Sequence, residues 1–133
     1  MIDSQRLEGM PLFADLTDEQ RAEVASRVHD VEVATDETIA IQGDNAYELF
    51  VIEEGEAEVR RDGETIATLT AGDVCGEIGV LVTGTRRATV VATTPMRLIA
   101  MFSRDFRQVE HHVPTIAERL REIMRSRPGW SSL

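Results

Sequence analysis

The period of the apolar positions changes twice along the chain. Over the first thirty residues it reads as helical. Thr17-Asp18-Glu19-Gln20 has the form of a capping box, with a threonine at the cap and a glutamine three positions later. Ala22, Val24, Ala25 and Val28 follow as an apolar stripe. Leu7, Leu12, Phe13 and Leu16 come before it and are expected to pack this entry segment onto a core. From about Val31 to Phe102 the pattern is that of short strands, predicted at 38–41, 47–53, 57–61, 65–69, 89–92 and 96–102. Turn signals separate them: Gln42-Gly43-Asp44-Asn45, Glu54-Gly55-Glu56, Asp62-Gly63 and Ala71-Gly72-Asp73. Asp62-Gly63, set between Val59 and Ile66, predicts a tight hairpin. After Phe102 the helical period returns. Ser103 is expected to cap a short helix that starts at Arg104 and carries Phe106 and Val109. Pro114 suits the first turn of a second helix, in which Val113, Ile116, Leu120 and Ile123 fall at spacings of three, four and three. Pro128-Gly129 ends it.

Many short strands with regular turns argue for a small antiparallel β-barrel or jelly roll, a double-stranded β-helix. The expected fold class is therefore mainly β with flanking helices. The chain divides into an N-terminal helical segment at 1–30, a barrel at 31–102 and C-terminal helices at 103–127. At 133 residues this is one domain, long enough for a single core. No apolar run approaches a membrane span, and the N-terminus lacks the basic and apolar regions of a signal peptide. The one cysteine, Cys75, cannot form an internal disulfide, so a reducing, cytoplasmic setting is expected. The net charge of −10 is uneven: residues 1–58 carry −13 and residues 59–133 carry +3. Nucleic-acid binding needs a basic face that neutralises phosphates, so this chain alone is a poor candidate for it. A single small anion is different, because local donors overcome a distant field screened by salt.

One segment concentrates unusual chemistry. Gly72-Asp73-Val74-Cys75-Gly76-Glu77-Ile78-Gly79-Val80-Leu81 is followed, nine residues after Glu77, by Arg86-Arg87-Ala88-Thr89. Glycines let a backbone approach a ligand closely. A short helical turn after them aims free N–H groups at an anion. An arginine offers a fixed fork of donors that suits a phosphate. The acid would repel a phosphate, so it must serve another group, for which a sugar hydroxyl is the natural candidate. Phosphate and ribose in one compact cassette suggest a small nucleotide.

With the cassette lying between strands and a helix behind it, the chain resembles the cyclic nucleotide-binding domain. That family includes catabolite-activator-type bacterial regulators, regulatory subunits of cyclic-AMP-dependent kinase and cyclic-nucleotide-gated channels. The resemblance runs over nearly the whole chain: Pro11-Leu12-Phe13 with Leu16-Thr17, Gln42-Gly43-Asp44, Leu49-Phe50-Val51-Ile52 ahead of Gly55, Gly72-Asp73, and the cassette at 72–89. It implies that Glu77, after Gly76, accepts a hydrogen bond from the ribose 2′-hydroxyl. It implies that backbone N–H groups of Ile78, Gly79 and Val80, and the amide after the arginine, face the cyclic phosphate, and that Arg86 pairs with its charge. Two positions depart from the family's pattern. Cys75 stands where an aromatic is common, and Arg87 where Ala, Ser or Thr is usual. A register one residue longer makes Arg87 the phosphate ligand, followed by Ala88. The Arg86 register is favoured because Arg86-Arg87-Ala88-Thr89 and the strand after it then line up with the kinase-type pattern. Either register lacks the Thr or Ser that often follows the arginine when cyclic GMP is preferred. Cyclic AMP is therefore the expected ligand, with cyclic GMP the alternative, and no further cofactor.

The resemblance implies a regulatory module without catalytic activity. Nucleotide would draw in the C-terminal helix, roughly 114–126, as a lid, with Leu120, Ile123 or Met124 covering the base and a hinge near His111 to Pro114. The chain stops where transcription-factor relatives continue into a helix-turn-helix. The expected output is therefore a protein partner or a fused effector domain, and the C-terminal stripe also allows a homodimer. His29, His111 and His112 do not sit at the spacing of a metal-binding barrel, and no nucleophile–base pair is recognisable. Cys75 reads as a small core residue. The rival readings are a fold that has lost its ligand and serves as an interaction scaffold, a barrel for another anion, and a DNA-binding regulator. Intact Glu77 and Arg86 argue against the first. The absence of polar residues or histidines facing a barrel interior argues against the second, and the absence of a basic helix pair against the third.

Overall fold

The computed structural model describes residues 2–76 and 84–126. The chain begins with α1 (Gln5–Glu8) and α2 (Asp18–Ala25). Eight strands follow among the described residues: β1 (His29–Val33), β2 (Thr38–Ala40), β3 (Glu48–Glu54), β4 (Ala57–Arg61), β5 (Glu64–Leu69), β6 (Val74–Cys75), β7 (Thr89–Ala92) and β8 (Met96–Phe102). Two helices, α3 (Ser103–His112) and α4 (Thr115–Arg125), close the chain.

The strands form two four-stranded antiparallel sheets, ordered β1-β8-β3-β6 and β2-β7-β4-β5. The architecture is a jelly roll with flanking helices, and its sheets stay separate rather than closing into one barrel. The expected fold class holds, with that refinement. The first sheet is a middle layer, and side-chain alternation explains how. On β3, Leu49 and Val51 enter the core shared with the helices, whereas Phe50 and Ile52 enter the core between the sheets. On β8, Ile99 and Met101 take the helical side, and Met96, Leu98 and Ala100 the inter-sheet side. Leu49-Phe50-Val51-Ile52 is an unbroken apolar run because both of its faces are covered. The second sheet has one wet face, so β4 alternates Ala57 and Val59 inward with Glu58 and Arg60 outward.

Local signals explain one helix start and one hairpin. The Thr17 side chain accepts from Gln20 N and the Gln20 side chain accepts from Thr17 N, so the predicted capping box forms. Asp62 and Gly63 take φ of 53° and 83°, the left-handed pair that a two-residue hairpin requires. Arg6 ties the entry segment to the first sheet. Its guanidinium donates to both carboxylate oxygens of Glu53 and of Asp30.

Four expectations need correction. The helical segment ends before residue 30, because His29 already pairs with Ala100 in β1. Ala22 is exposed on α2, which buries only Val24 and Ala25. Ser103 is the first residue of α3; Phe102 holds the cap position, without a side-chain hydrogen bond. Pro114 stands at the cap of α4, one residue ahead of its first turn. Pro128-Gly129 lies outside the described residues.

Candidate ligand-binding site

The turn at Thr70–Asp73 delivers the chain to the site. Asp73 N donates to Thr70 O, and the Asp73 carboxylate accepts from Thr70 N at 2.8 Å. Gly72 N and Ile52 O, then Ile52 N and Asp73 O, join this turn to β3. β6 follows for two residues, with Val74 facing the helices and Cys75 the inter-sheet core. Cys75 is 1% exposed and packs into the inter-sheet core, as its reading as a small core residue expected.

β6 runs into Gly76, whose φ is +82°. A β-carbon there would lie 2.3 Å from Arg86 Nη1 and 3.2 Å from Glu48 O. The backbone therefore rests directly on the arginine. Arg86 Nη1 donates to Gly76 O at 3.4 Å, and the guanidinium carbon sits over the Phe50 ring, 5.4 Å from its centroid. At 9% exposure Arg86 is the one buried charged side chain among the described residues. Burying a guanidinium costs free energy unless its surroundings answer its charge.

A backbone clamp holds the arginine's other end. Arg86 N donates to Asp44 O at 2.7 Å, and Gly43 N donates to Arg86 O at 2.9 Å. Ala46 N donates to Gly84 O, and Asn45 bridges Thr85. Gln42 secures this clamp to the β4–β5 hairpin. Its amide exchanges two hydrogen bonds with Asp62, both 3.0 Å, while its backbone N–H donates to Thr89 Oγ1. The Gln42-Gly43-Asp44 signature thus has a physical role in fixing where residue 86 points.

The predicted site residues separate clearly. Gly76 and Arg86 are brought together. Arg87 is exposed, and its carbonyl accepts from Arg61 Nε. Ala88 packs at the edge of the inter-sheet core, and Thr89 opens β7. Glu77, Ile78, Gly79 and Val80 lie outside the described residues. Leu120 is 1% exposed in the helical core, beside which Ile123 and Met124 lie half-buried. Ile123, Arg119 and Glu122 also line a cleft of about 330 Å³ against Pro11 and the turn at 71–73. Val113, at the expected hinge, is buried in the same helical core. His29 pairs with Glu48 and His112 with Glu23. No cluster able to hold a metal occurs among the described residues. Sequence reading did not place the Phe50 ring beneath Arg86. Its only signal was its place in the β3 alternation, one position out of phase with the residues facing the helices.

The model of the cyclic nucleotide-binding domain matches residues 30–112. A cAMP-dependent protein kinase regulatory subunit of Schizosaccharomyces pombe is 34% identical over 99 residues, which is 74% of this chain and 24% of that protein. The chain thus spans about a quarter of that relative's length. The catabolite activator protein of Thermus thermophilus superposes with a TM-score of 0.77 at 28% identity, covering 86% of this chain and 56% of that one. The regulatory subunit of a cAMP-independent protein kinase A from Trypanosoma brucei shares the fold, with a TM-score of 0.85 at 21% identity over 96% of this chain and 46% of that one. No helix among the described residues is long and apolar enough to cross a membrane. Fold, signature and family match agree, and the chain belongs to the cyclic nucleotide-binding domain family.

Proposed function

We propose that this domain binds cyclic AMP and passes the binding event to a protein partner or an attached effector domain, without catalysis of its own. The observation that carries the reading is Arg86, a buried cation held beneath Gly76 at the start of the cassette. A fixed fork of donors in a water-poor setting suits the single charge of a cyclic phosphodiester. Glu77, next in the chain, would accept from the ribose 2′-hydroxyl, and the N–H groups of Ile78, Gly79 and Val80 would face the phosphate. Neither departure from the family's pattern exposes Arg86, since Cys75 packs into the inter-sheet core and Arg87 faces outward. That weakens the case for a scaffold that has lost its ligand.

The proposed output is a shift in the position of the C-terminal helix, in a cytoplasmic setting. β6 links the two regions, because Val74 shares the helical core with Leu120 while the next residues reach Gly76. With Leu120 buried in that core, Ile123 and Met124 would be the residues to cover a base.

Calorimetric titration with cyclic AMP, cyclic GMP and AMP tests the reading. Loss of a buried charge-assisted contact costs roughly 1.5–3 kcal/mol, so Arg86→Ala should weaken binding about ten- to a hundredfold. Arg87→Ala should leave affinity within about twofold, as expected for a surface change. Glu77→Ala should weaken binding of ribose-bearing ligands. A folded wild-type chain that binds neither cyclic nucleotide would defeat the proposal.

A further inference from the structure

We propose that the open edge of β1, with the cleft at its end, takes up an extended segment of a partner protein in which basic and apolar residues alternate. The inference uses none of the residues of the nucleotide reading and does not depend on nucleotide binding.

β1 is the outermost strand of the first sheet and pairs on one side with β8. Among the described residues no backbone hydrogen bond uses its other side. Every second residue of such an edge aims an N–H and a C=O outward, which is a template for one more strand. The other edges are poorer templates for a basic guest. β2 and β6 have three and two residues. β5 lies beside Arg60 and Arg61, which stand opposite Thr65 and Glu64. Side chains of β1 alternate, and so must those of its guest. Val31 and Val33 belong to the inter-sheet core, whereas Asp30 and Glu32 face the other way. Past Val33 the edge opens into a cleft of about 460 Å³. Buried Val33 and Met96 give the cleft its apolar part, and Glu32, Glu37, Glu54 and Arg97 stand around it. Three carboxylates there meet one guanidinium. Arg97 reaches Glu32 at 3.5 Å, while Glu37 and Glu54 have no ion-pair partner among the described residues. That excess of negative charge selects the occupant. A second copy of this chain would bring acids of its own. Antiparallel pairing of two β1 strands about Val31 would set Asp30 opposite Glu32, and like charges directly opposite are destabilising. A basic segment supplies the missing cations on the acidic side, and its alternate apolar side chains would extend the face made by Val31 and Val33.

The test separates strand addition from plain charge attraction. The full chain is titrated by fluorescence anisotropy with a short labelled peptide of alternating arginine and valine. One control peptide carries glutamate in place of arginine. The other has alternate backbone nitrogens methylated, which keeps the charge but blocks strand pairing. The arginine–valine peptide should bind and the glutamate peptide should not, and methylation should weaken binding about tenfold or more. The double variant Glu32→Arg/Glu54→Arg should weaken binding about tenfold, because each reversal replaces an exposed attraction with a repulsion. Glu64→Arg, on β5, should leave affinity within about twofold. All three glutamates are exposed, so thermal melts of the variants should match wild type. A folded chain that does not bind the arginine–valine peptide would overturn the proposal. So would a methylated peptide that binds as tightly, or an equal loss in Glu64→Arg, since either result would leave only the general field of an acidic protein. Sedimentation of the chain alone tests the other occupant. A dimer that the arginine–valine peptide dissociates would assign the edge to a second copy and overturn the proposal.

Discussion

Gly76→Ala is the sharpest perturbation the geometry offers, because it separates affinity from stability. Two costs attach to the added methyl group. The backbone at φ +82° is left-handed, which costs a residue with a β-carbon about 1–2 kcal/mol. The new carbon would also stand 2.3 Å from Arg86 Nη1 and 3.2 Å from Glu48 O. The first neighbour is the far end of a flexible side chain, so it moves aside rather than forcing the backbone apart. The second asks for a shift of only a few tenths of an ångström. Stability should therefore fall by little more than the backbone strain, which for a domain of this size is a melting shift of roughly 3–10 °C. Binding should suffer more, since the group that yields is the proposed phosphate ligand. With Arg86 turned out of place, affinity for a cyclic nucleotide should drop about ten- to a hundredfold, close to the effect of Arg86→Ala itself. Calorimetric titration beside thermal melts measures both quantities. Gly76→Ala with wild-type affinity would refute the claim that Gly76 and Arg86 form one device, and additive losses in the Gly76→Ala/Arg86→Ala double variant would refute it too.

Three further outcomes follow from the packing. Gly55→Ala should cost roughly 2–5 kcal/mol, more than Gly76→Ala, because its β-carbon would lie 2.5 Å from Pro95 O and 2.9 Å from Met96 Cα at φ +99°, where only backbone could yield; denaturant melts read this directly. Thr17→Ala should lose about 1 kcal/mol by removing the cap on Gln20 N, with nucleotide affinity unchanged in the same preparations. The Asp30 carboxylate is held below its usual pKa chiefly by the hydrogen bond from Arg6. Its stabilising share is therefore fully present above about pH 4 and is lost as the pH falls through the lowered folded value. Asp30 is 46% exposed, so that share is below about 1 kcal/mol, and the stability difference between wild type and Asp30→Asn should shrink to nothing on acidification. A difference that grows in acid would contradict the assignment.

Much of this architecture was legible in the residues, and the failures share a physical cause. The β4–β5 hairpin could be read because Asp-Gly suits φ values that few other pairs tolerate. β3 could be read because both of its faces are buried and its apolar run is unbroken. β1 was partly missed because it is an edge strand on which His29, Asp30 and Glu32 lie open to some degree and only Val33 is fully buried. β6 has two residues, too few for any period to show. At the site, the choice between Arg86 and Arg87 was open in the sequence because each had a workable register. The turn at 43–46, which grips the backbone of residue 86, turns one side chain in and the next out. The partnership of Phe50 with Arg86 spans 36 positions and depends on which face of β3 meets the second sheet. No local signal encodes that.

The same packing limits how the domain could report on its ligand. Ile116 and Leu120 are each 1% exposed, in a core shared with Leu7, Phe13, Val74 and Phe106. Each fully buried aliphatic side chain contributes roughly 1.5–3 kcal/mol, so lifting the first two turns of α4 would cost on the order of 3–6 kcal/mol. A ligand must supply such a cost through preference for one state, and a preference of about 5.5 kcal/mol means about 10⁴-fold tighter binding to it. That would be steep for a nucleotide that, on the proposed reading, met α4 only at its margin. Ile123 and Met124 are half-buried, and the polar residues Arg119, Glu122 and Ser126 line the neighbouring cleft, so the last turn can shift at far lower cost. Nucleotide should therefore change amide hydrogen exchange in residues 121–126 while the amides of Ile116 to Leu120 keep their protection. Exchange that changes equally along all of α4 would show that the whole helix is displaced and that its apolar anchor is weaker than its burial implies.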